Sequence, residues 1–421
     1  MAVVLAGGRG TRSADPGLAK LAQEIDGASL MEWHLRLLHH SGIDHVVVVA
    51  GHLGDQVRTL CESFAHPWIR VEVVQEDEQR GTVAALLLAA QQHPADRFLV
   101  ILGDILMSFP VDDFIAKWQA SGRGVAVAVH PSTHPEDSDT VFENFDGSVS
   151  VVAKSAPRDR LPNSSSTGLF AISRVALERY SDQRDFGSDV LPAAAAASDL
   201  FVYVSSHYFK DTGTPNRLDA AARDVEAGAF RRRGELGPRA AVFLDRDGVI
   251  NPDRPEISNA DAYTLLPGVA AAIRTANSAG IPVLIVTNQS RIAKGFITFA
   301  EHQAIRARMD ALLGAEGAFV DDYAFCPHHP DTGFDGEVAE LKGPCDCRKP
   351  GTGMATRLAA HHHLDLHRSV MVGDTDRDQG LALAAGMGFV HVSPDCDLTP
   401  DHPCRVEASE AILRAIEMVE C

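Results

Sequence analysis

An α/β protein of two domains is the fold the sequence predicts, and three observations carry that reading. Short apolar runs such as Val46 to Ala50 and Phe98 to Leu102 alternate with longer helical patterns such as Leu30 to His40, the rhythm of a largely parallel sheet covered by helices. The same rhythm restarts at Ala240. A length of 421 residues, 45% of them hydrophobic, is enough for two separate cores.

The first strand runs into Leu5-Ala-Gly-Gly-Arg-Gly-Thr-Arg12. Gly7, Gly8 and Gly10 lack side chains, so backbone N–H groups there can approach a phosphate chain closely. A glycine loop alone is weak evidence, because glycines also serve tight turns. It is joined by Glu76 to Thr82, by Gly103-Asp104 after the strand Phe98 to Leu102, and by Phe209-Lys-Asp211-Thr-Gly-Thr-Pro215. In this order the pieces resemble the sugar-phosphate nucleotidyltransferases, over about residues 1 to 225. The resemblance implies a Rossmann-like mixed sheet and attack of a sugar 1-phosphate on the α-phosphorus of a nucleoside triphosphate. It implies further that Arg12 and Lys20, with Thr11 beside them, face the leaving pyrophosphate, that Asp104 and Asp211 hold Mg²⁺, that Gly81 and Thr82 line the nucleoside pocket, and that Lys154 meets the sugar phosphate. The chain departs from the family at three places: Ala19-Lys20-Leu21 stands for Pro-Lys-Pro, Ala153-Lys154-Ser155 for Glu-Lys-Pro, and Ser166-Thr167-Gly168 for Asn-Ala-Gly. Both lysines and both aspartates are present, and charged groups dominate this kind of catalysis.

Arg231, Arg232 and Arg233, followed by Gly234, Gly237 and Pro238, read as a helix end and a solvated connector. The expected division is therefore 1–230, a linker 231–239, and 240–421. Ala193 to Ala197 reads as plain helix, and Glu407 to Val419 as a terminal helix packed on the second domain.

The second domain opens on the apolar strand Ala241-Val-Phe-Leu-Asp245, which ejects Asp245 and Asp247 at its carboxyl end. Two carboxylates two residues apart share one side of an extended chain, where with a divalent cation they can act on one phosphate. A second apolar strand, Ile281 to Val286, ends in Thr287-Asn288-Gln289-Ser290; Cys347-Arg348-Lys349-Pro350 brings cations; a third strand ends in Asp374. The four segments together resemble the haloacid dehalogenase superfamily of phosphatases, from Ala240 to about Pro394, with its parallel sheet. That implies Asp245 as the nucleophile and Asp247 as general acid and base. Thr287 and Asn288 would orient the phosphoryl group and Lys349 offset its charge. Mg²⁺ would sit on Asp245, the backbone carbonyl of Asp247 and Asp374, with Asp378 a weaker support that also suits helix capping.

Cys326-Pro-His328 and Cys345-Asp-Cys347 are separated by sixteen intervening residues. Three thiolates and one imidazole satisfy tetrahedral Zn²⁺ and leave no open position, which predicts a structural zinc loop that fixes Arg348 and Lys349. His329 is a competing ligand by position, whereas His361-His362-His363 reads as an ordinary helix segment. The zinc loop with Thr287-Asn-Gln-Ser resembles the branch holding histidinol-phosphate and heptose 1,7-bisphosphate phosphatases, and Cys326-Pro-His-His-Pro330 looks more like the heptose enzymes. Where the heptose pattern has Ser-Gly-Ile-Ala-Arg-Gly, this chain has Ser290-Arg291-Ile-Ala-Lys294-Gly, so Gln289, Ser290 and Arg291 are candidate sugar-phosphate contacts.

A net charge of −19 disfavours binding to nucleic acid polymers or anionic membranes, which needs clustered cations. Neither a secretory signal nor a run of eighteen apolar residues is present, which predicts a cytoplasmic protein. Seven cysteines, three of them between Cys326 and Cys347, point to metal binding; Cys61, Cys396, Cys404 and Cys421 look ordinary. Joined, the two resemblances imply consecutive steps: removal of the 7-phosphate from a heptose 1,7-bisphosphate, then coupling of heptose 1-phosphate to a nucleotide, expected from GTP. The alternative is a heptose or histidinol-phosphate phosphatase carrying a transferase-like domain that only binds.

Overall fold

The computed structural model describes every residue except 9–16, 65–68, 134–136, 158–159, 236, 254–258, 394–406 and 421. The chain falls into two compact units. One comprises Met1–His130, Glu136–Ala156 and Ser164–Gly234; the other comprises Pro131–Pro135, Pro157–Asn163 and Glu235–Cys421.

In the first unit, a nine-stranded sheet runs in the order Val149–Val152, Thr140–Glu143, Ser165–Ser173, Arg97–Leu102, Ala2–Ala6, His45–Ala50, Arg70–Gln75. Val125–His130 pairs with both Ser165–Ser173 and Leu200–Val204. Ala2–Ala6 is parallel to its neighbours on both sides, while Ser165–Ser173 is antiparallel to Arg97–Leu102, so the sheet is mixed. Side chains alternate between two cores: Ala2 and Val4 face one, Val3 the other. A separate antiparallel ribbon pairs Ile105–Ser108 with Tyr208–Asp211, and its register sets Asp211 opposite Ile105.

The linker begins later than the basic cluster suggests. Ala229–Gly234 is helical, Arg233 is buried with its guanidinium donating to Ser206 O at 3.1 Å, and Ser108 Oγ donates to Gly234 O at 2.9 Å. A guanidinium with carbonyl partners can be buried where a lone charge cannot. Only Arg231 is exposed to the degree a solvated run implies.

The second unit holds a five-stranded sheet ordered Asp322–Cys326, Val283–Asn288, Val242–Leu244, Val370–Gly373, Gly388–His391. All four pairings are parallel. Parallel strands covered on both faces should be apolar throughout. Val242–Leu244 is indeed fully buried, with Val242 and Leu244 in one core and Phe243 in the other. The helix Ala408–Glu420 buries Ala411, Ile412, Ala415 and Ile416 in the first of these cores, as its spacing predicts. Among the described residues no helix is long and apolar enough to cross a membrane.

Candidate active sites

In the second unit the central strand and its two neighbours deliver acidic and polar residues to their shared carboxyl edge. Asp245 follows Leu244, Thr287 and Asn288 end the strand on one side, and Asp374 follows Gly373 on the other. The crevice beyond the carboxyl ends of a parallel sheet is where ligands bind in such folds. Asp245, Asp374 and Asp378 bring one carboxylate oxygen each within 4.8 Å of one another. Lys349 Nζ lies 2.7 Å from Asp245 Oδ2 and 2.6 Å from Asp378 Oδ1. Three carboxylates against one ammonium leave the crevice short of positive charge. Burial, working against Lys349, pushes the Asp245 carboxyl up to about 6, and burial with the charges of Asp245 and Asp378 pushes Asp374 to about 7. Asp374 Oδ1 is buried without a hydrogen-bond partner. An acid-rich crevice with an unsatisfied oxygen suits a hard divalent cation.

Two backbone details make this approach feasible. Gly248 has φ +81°, and a Cβ there would stand 2.0 Å from Asp374 Oδ2, so only glycine lets the loop meet the third carboxylate. Asp378 uses its other oxygen, Oδ2, to accept from Thr375 N–H at 3.1 Å and Thr375 Oγ1 at 2.6 Å, capping the helix Asp376–Ala385. Capping was the expected part of its role; membership of the acid cluster is stronger than expected.

The Asp247 side chain stays out of that cluster, in keeping with the expectation that only its backbone carbonyl would face the ion. Its oxygens accept from Arg246 Nη2 at 2.8 Å, Asn251 Nδ2 at 2.9 Å and Gln289 Nε2 at 2.8 Å. Burial alone would raise the Asp247 carboxyl; Arg246 and these hydrogen bonds outweigh it and hold it below the usual range. Gln289 is correspondingly an internal strut, donating to Thr287 Oγ1 at 2.9 Å and accepting from Arg246, not an exposed sugar contact. Arg246 and Asn251 were not singled out in the sequence. The signal for Arg246 was its place between Asp245 and Asp247 just beyond an apolar strand.

Asn288 exchanges hydrogen bonds with the Lys349 backbone, at 2.9 Å from Lys349 N and 3.2 Å to Lys349 O, which joins the second strand to the lysine loop. Ser290 is half-buried, and Arg291 lies 5.8 Å over the Phe296 ring. Arg348 donates to His328 O at 3.2 Å, bracing the cysteine loop.

Cys326, His328, Cys345 and Cys347 gather one donor atom each within 4.8 Å, with Cys347 Sγ 3.1 Å from Cys326 Sγ and 3.3 Å from His328 Nδ1. All three cysteines are free thiols. His329 is not part of the group; its Nδ1 accepts from Asp331 N at 3.2 Å. His362 is buried against Asp322 Oδ2 at 2.8 Å, a structural contact, and forms no donor cluster with its neighbours. Of the remaining cysteines, Cys61 is buried, while Cys396, Cys404 and Cys421 lie outside the described residues.

In the first unit, a cavity of about 420 Å³ is lined by Gly7, Gly8, Lys20, Gly81, Thr82 and Asp104, all named from the sequence. Glu76, Gln79, Arg184 and Asp185 complete its polar lining. Lys20 Nζ sits 2.5 Å from Asp104 Oδ2. The ribbon brings Asp211 to the same place: a Cβ on Gly213 would lie 2.9 Å from Asp211 Oδ1 and 3.1 Å from Asp104 Oδ2. Thr212 secures the junction, its N–H and hydroxyl donating to Asp104 O at 2.8 and 2.9 Å. Arg217 pairs with Asp211 Oδ2 at 2.6 Å. Two converging carboxylates, each balanced by one cation, are a donor set that fits a divalent ion.

Other residues named from the sequence stand differently. Thr82 turns its hydroxyl inward, donating to Asp185 Oδ2 at 3.0 Å and accepting from Phe186 N at 2.9 Å, so its part is to shape the wall. Gly81 has φ +110° and passes so close to Arg184 that a Cβ would meet Arg184 O at 2.2 Å. Lys154 is exposed and is not among the lining residues. Gly10, Thr11 and Arg12 lie outside the described residues.

Comparison with known proteins matches residues 2–183 to the MobA-like NTP transferase domain and residues 346–400 to a HAD-hydrolase-like family. A D-glycero-beta-D-manno-heptose-1,7-bisphosphate 7-phosphatase of Rhodopseudomonas palustris is 40% identical over 161 residues, 38% of this chain and 87% of that protein. A D-glycero-D-manno-heptose-1,7-bisphosphate 7-phosphatase of Thermosynechococcus vestitus is 43% identical over 152 residues, 35% of this chain and 76% of that protein. Among solved structures, a HAD-like phosphatase from Mesorhizobium loti is 36% identical and covers 44% of this chain and 88% of its own, with a TM-score of 0.38.

Proposed function

We infer the function from one premise: the chain belongs to the D-glycero-D-manno-heptose-1,7-bisphosphate 7-phosphatase family and carries a MobA-like NTP transferase domain at residues 2–183. It is a bifunctional enzyme of sugar-nucleotide synthesis. The second unit removes the 7-phosphate of a heptose 1,7-bisphosphate, and the first transfers a nucleotidyl group, expected from GTP, to the heptose 1-phosphate that remains. The observation that carries this reading is the meeting of Asp245, Asp374, Asp378 and Lys349 at one sheet edge.

Asp245 attacks phosphorus, the C7 oxygen leaves with a proton from Asp247, and an aspartyl phosphate forms. Water then attacks that phosphorus while Asp247 takes its proton back, releasing phosphate and restoring both acids. At neutral pH Asp245 is ionised yet largely stripped of water. Asp247 is held low in the free enzyme, and an arriving phosphate dianion raises its proton affinity by like charge. Thr287, Asn288 and the ammonium of Lys349 orient and neutralise the phosphoryl oxygens. Mg²⁺ would be held by Asp245 and Asp374, with Asp378 behind them and the Asp247 backbone carbonyl as a further donor; bound there, it supplies charge neutralisation to the transferring group. Cys326, His328, Cys345 and Cys347 would hold a structural Zn²⁺.

In the first unit Lys20 and the glycine loop, including Gly10, Thr11 and Arg12, cradle the triphosphate, while Asp104 and Asp211 would hold the Mg²⁺ that shields it. Glu76, Gln79 and Arg184, which line the same cavity, would meet the nucleoside. Ser290, Arg291 and Arg348 surround the sugar 1-phosphate in the phosphatase step, and Lys154 approaches the sugar phosphate in the transferase step.

The test is product analysis by mass spectrometry with heptose 1,7-bisphosphate, Mg²⁺ and each nucleoside triphosphate in turn. Wild type should give nucleotide-heptose and pyrophosphate. Asp245→Asn should stop phosphate release and still convert supplied heptose 1-phosphate, and Asp104→Asn should do the reverse. Undiminished phosphate release by the first variant would remove the assigned nucleophile. Absence of pyrophosphate with every nucleotide would leave the first unit as a binding domain.

A further inference from the structure

We propose a fourth metal site, for a divalent transition-metal ion of the zinc class, built from His45, Glu72 and His93 in the first unit. His45 opens the strand His45–Ala50, Glu72 lies on the neighbouring edge strand Arg70–Gln75, and His93 caps the carboxyl end of the helix Thr82–Gln92. Val47 pairs with Glu72 in the parallel register, and His45 is two residues from Val47, so His45 and Glu72 project from the same face of the sheet. Val47, Val74, Val83, Leu86 and Ala89 share one core, which shows that this helix packs on that face. The three side chains therefore meet where two strands and a helix end converge.

Their donor atoms are spaced for coordination. Glu72 offers one oxygen to each imidazole, Oε1 at 3.2 Å from His45 Nε2 and Oε2 at 3.3 Å from His93 Nδ1. All three ligand atoms lie within 4.8 Å of one another. Ligands bound at about 2.0–2.1 Å in a tetrahedron stand roughly 3.3 Å apart. His45 Nε2 is withdrawn from solvent and forms no hydrogen bond, despite its closeness to the carboxylate. Two imidazoles and a carboxylate form a ligand set typical of zinc, and it leaves a position for water. The helix end contributes partial negative charge, which favours a cation there. Arg70 Nε, 2.5 Å from Glu72 Oε1 on a 70% exposed side chain, is the resident counter-ion that a metal displaces. An ion here ties the edge strand to its neighbour and to the helix whose first turn, Thr82, lines the nucleotide cavity.

The experiment measures zinc bound per chain in full-length protein equilibrated at defined free zinc. Occupancy of the cysteine loop is followed separately by the thiolate-to-cobalt absorption of Co²⁺-loaded samples. Wild type should bind about one equivalent more than His45→Gln/His93→Gln, and Glu72→Gln should weaken that equivalent roughly tenfold or more. Arg70→Ala, at an exposed position with little folding risk, should tighten it several-fold. With the cysteine loop already loaded, further zinc should raise the melting transition of the first unit in wild type and not in the double variant. Equal zinc counts in wild type and a folded double variant would overturn the site. So would an Arg70→Ala protein whose zinc affinity is unchanged, and that measurement stands even where the double variant fails to fold.

Discussion

Single residues in this chain do more than one task, and the clearest is Gly248. With φ +81° and no room for a Cβ beside Asp374, Gly248→Ala strains the backbone by about 1–2 kcal/mol and moves the third carboxylate. Phosphate release should fall by roughly a hundredfold, the cost of a misplacement of about 1 Å, while nucleotidyl transfer is unaffected; steady-state assays of both reactions check this. His302 makes a pH prediction. Burial first, then the nearby Arg246 and Arg306, lowers its imidazole from 6.5 to about 3. Between those values the unfolded chain binds a proton that the folded chain refuses, so stability is full above about 6.5 and declines as pH falls. From pH 7 to 5 the loss from this group is about 2 kcal/mol. Urea unfolding of His302→Gln should show a slope shallower by that amount, and equal slopes would contradict the assignment. Asp245, Asp374 and Asp104 were legible in the sequence because each closely follows an apolar run, and Asp247 because of its spacing from Asp245. Their partners were not: Arg246, Asn251 and Gln289 act on Asp247 through contacts that depend on side-chain direction, which residue spacing does not encode. Thr82 is a comparable case, since its hydroxyl is claimed by Asp185, 103 positions away.

At the level of elements, the phosphatase crevice is a product of strand order. Val242–Leu244 lies between the strands that carry Thr287 and Asp374, so residues far apart in the chain share one edge. Alternating apolar runs predicted such a sheet, and all four strand pairings are parallel. The cysteine loop is the second such device. Cys347 is buried and packs beside Met354 and Ala355, and Lys349 follows two residues later. Cys347→Ser should therefore loosen the lysine as well as the loop, reducing phosphate release about tenfold or more while transferase activity persists. Measured zinc content should fall in parallel, and chelated wild type should recover on zinc addition. Full phosphatase activity with the loop stripped of metal would show that the loop does not position Lys349. The basic cluster near the connector was misjudged at this scale: three arginines look solvated, yet the turn of the helix Ala229–Gly234 buries one of them against Ser206.

For the whole molecule, two units with separate cores predict two unfolding transitions in calorimetry. A nucleoside triphosphate with Mg²⁺ should raise only one of them, by about 2.7 kcal/mol at a hundredfold excess over its dissociation constant. A shift of both would mean that the units unfold as one. The ribbon described above has a further consequence for synthesis on the ribosome. Asp104 and its clasp Thr212 are 108 positions apart, so a nascent chain that has emerged only as far as the strand Leu200–Val204 possesses the glycine loop and one aspartate, and has no second acid to complete the pair. The candidate site is thus closed by the last described strand of its own unit, and fragments released early should show no turnover of nucleotide.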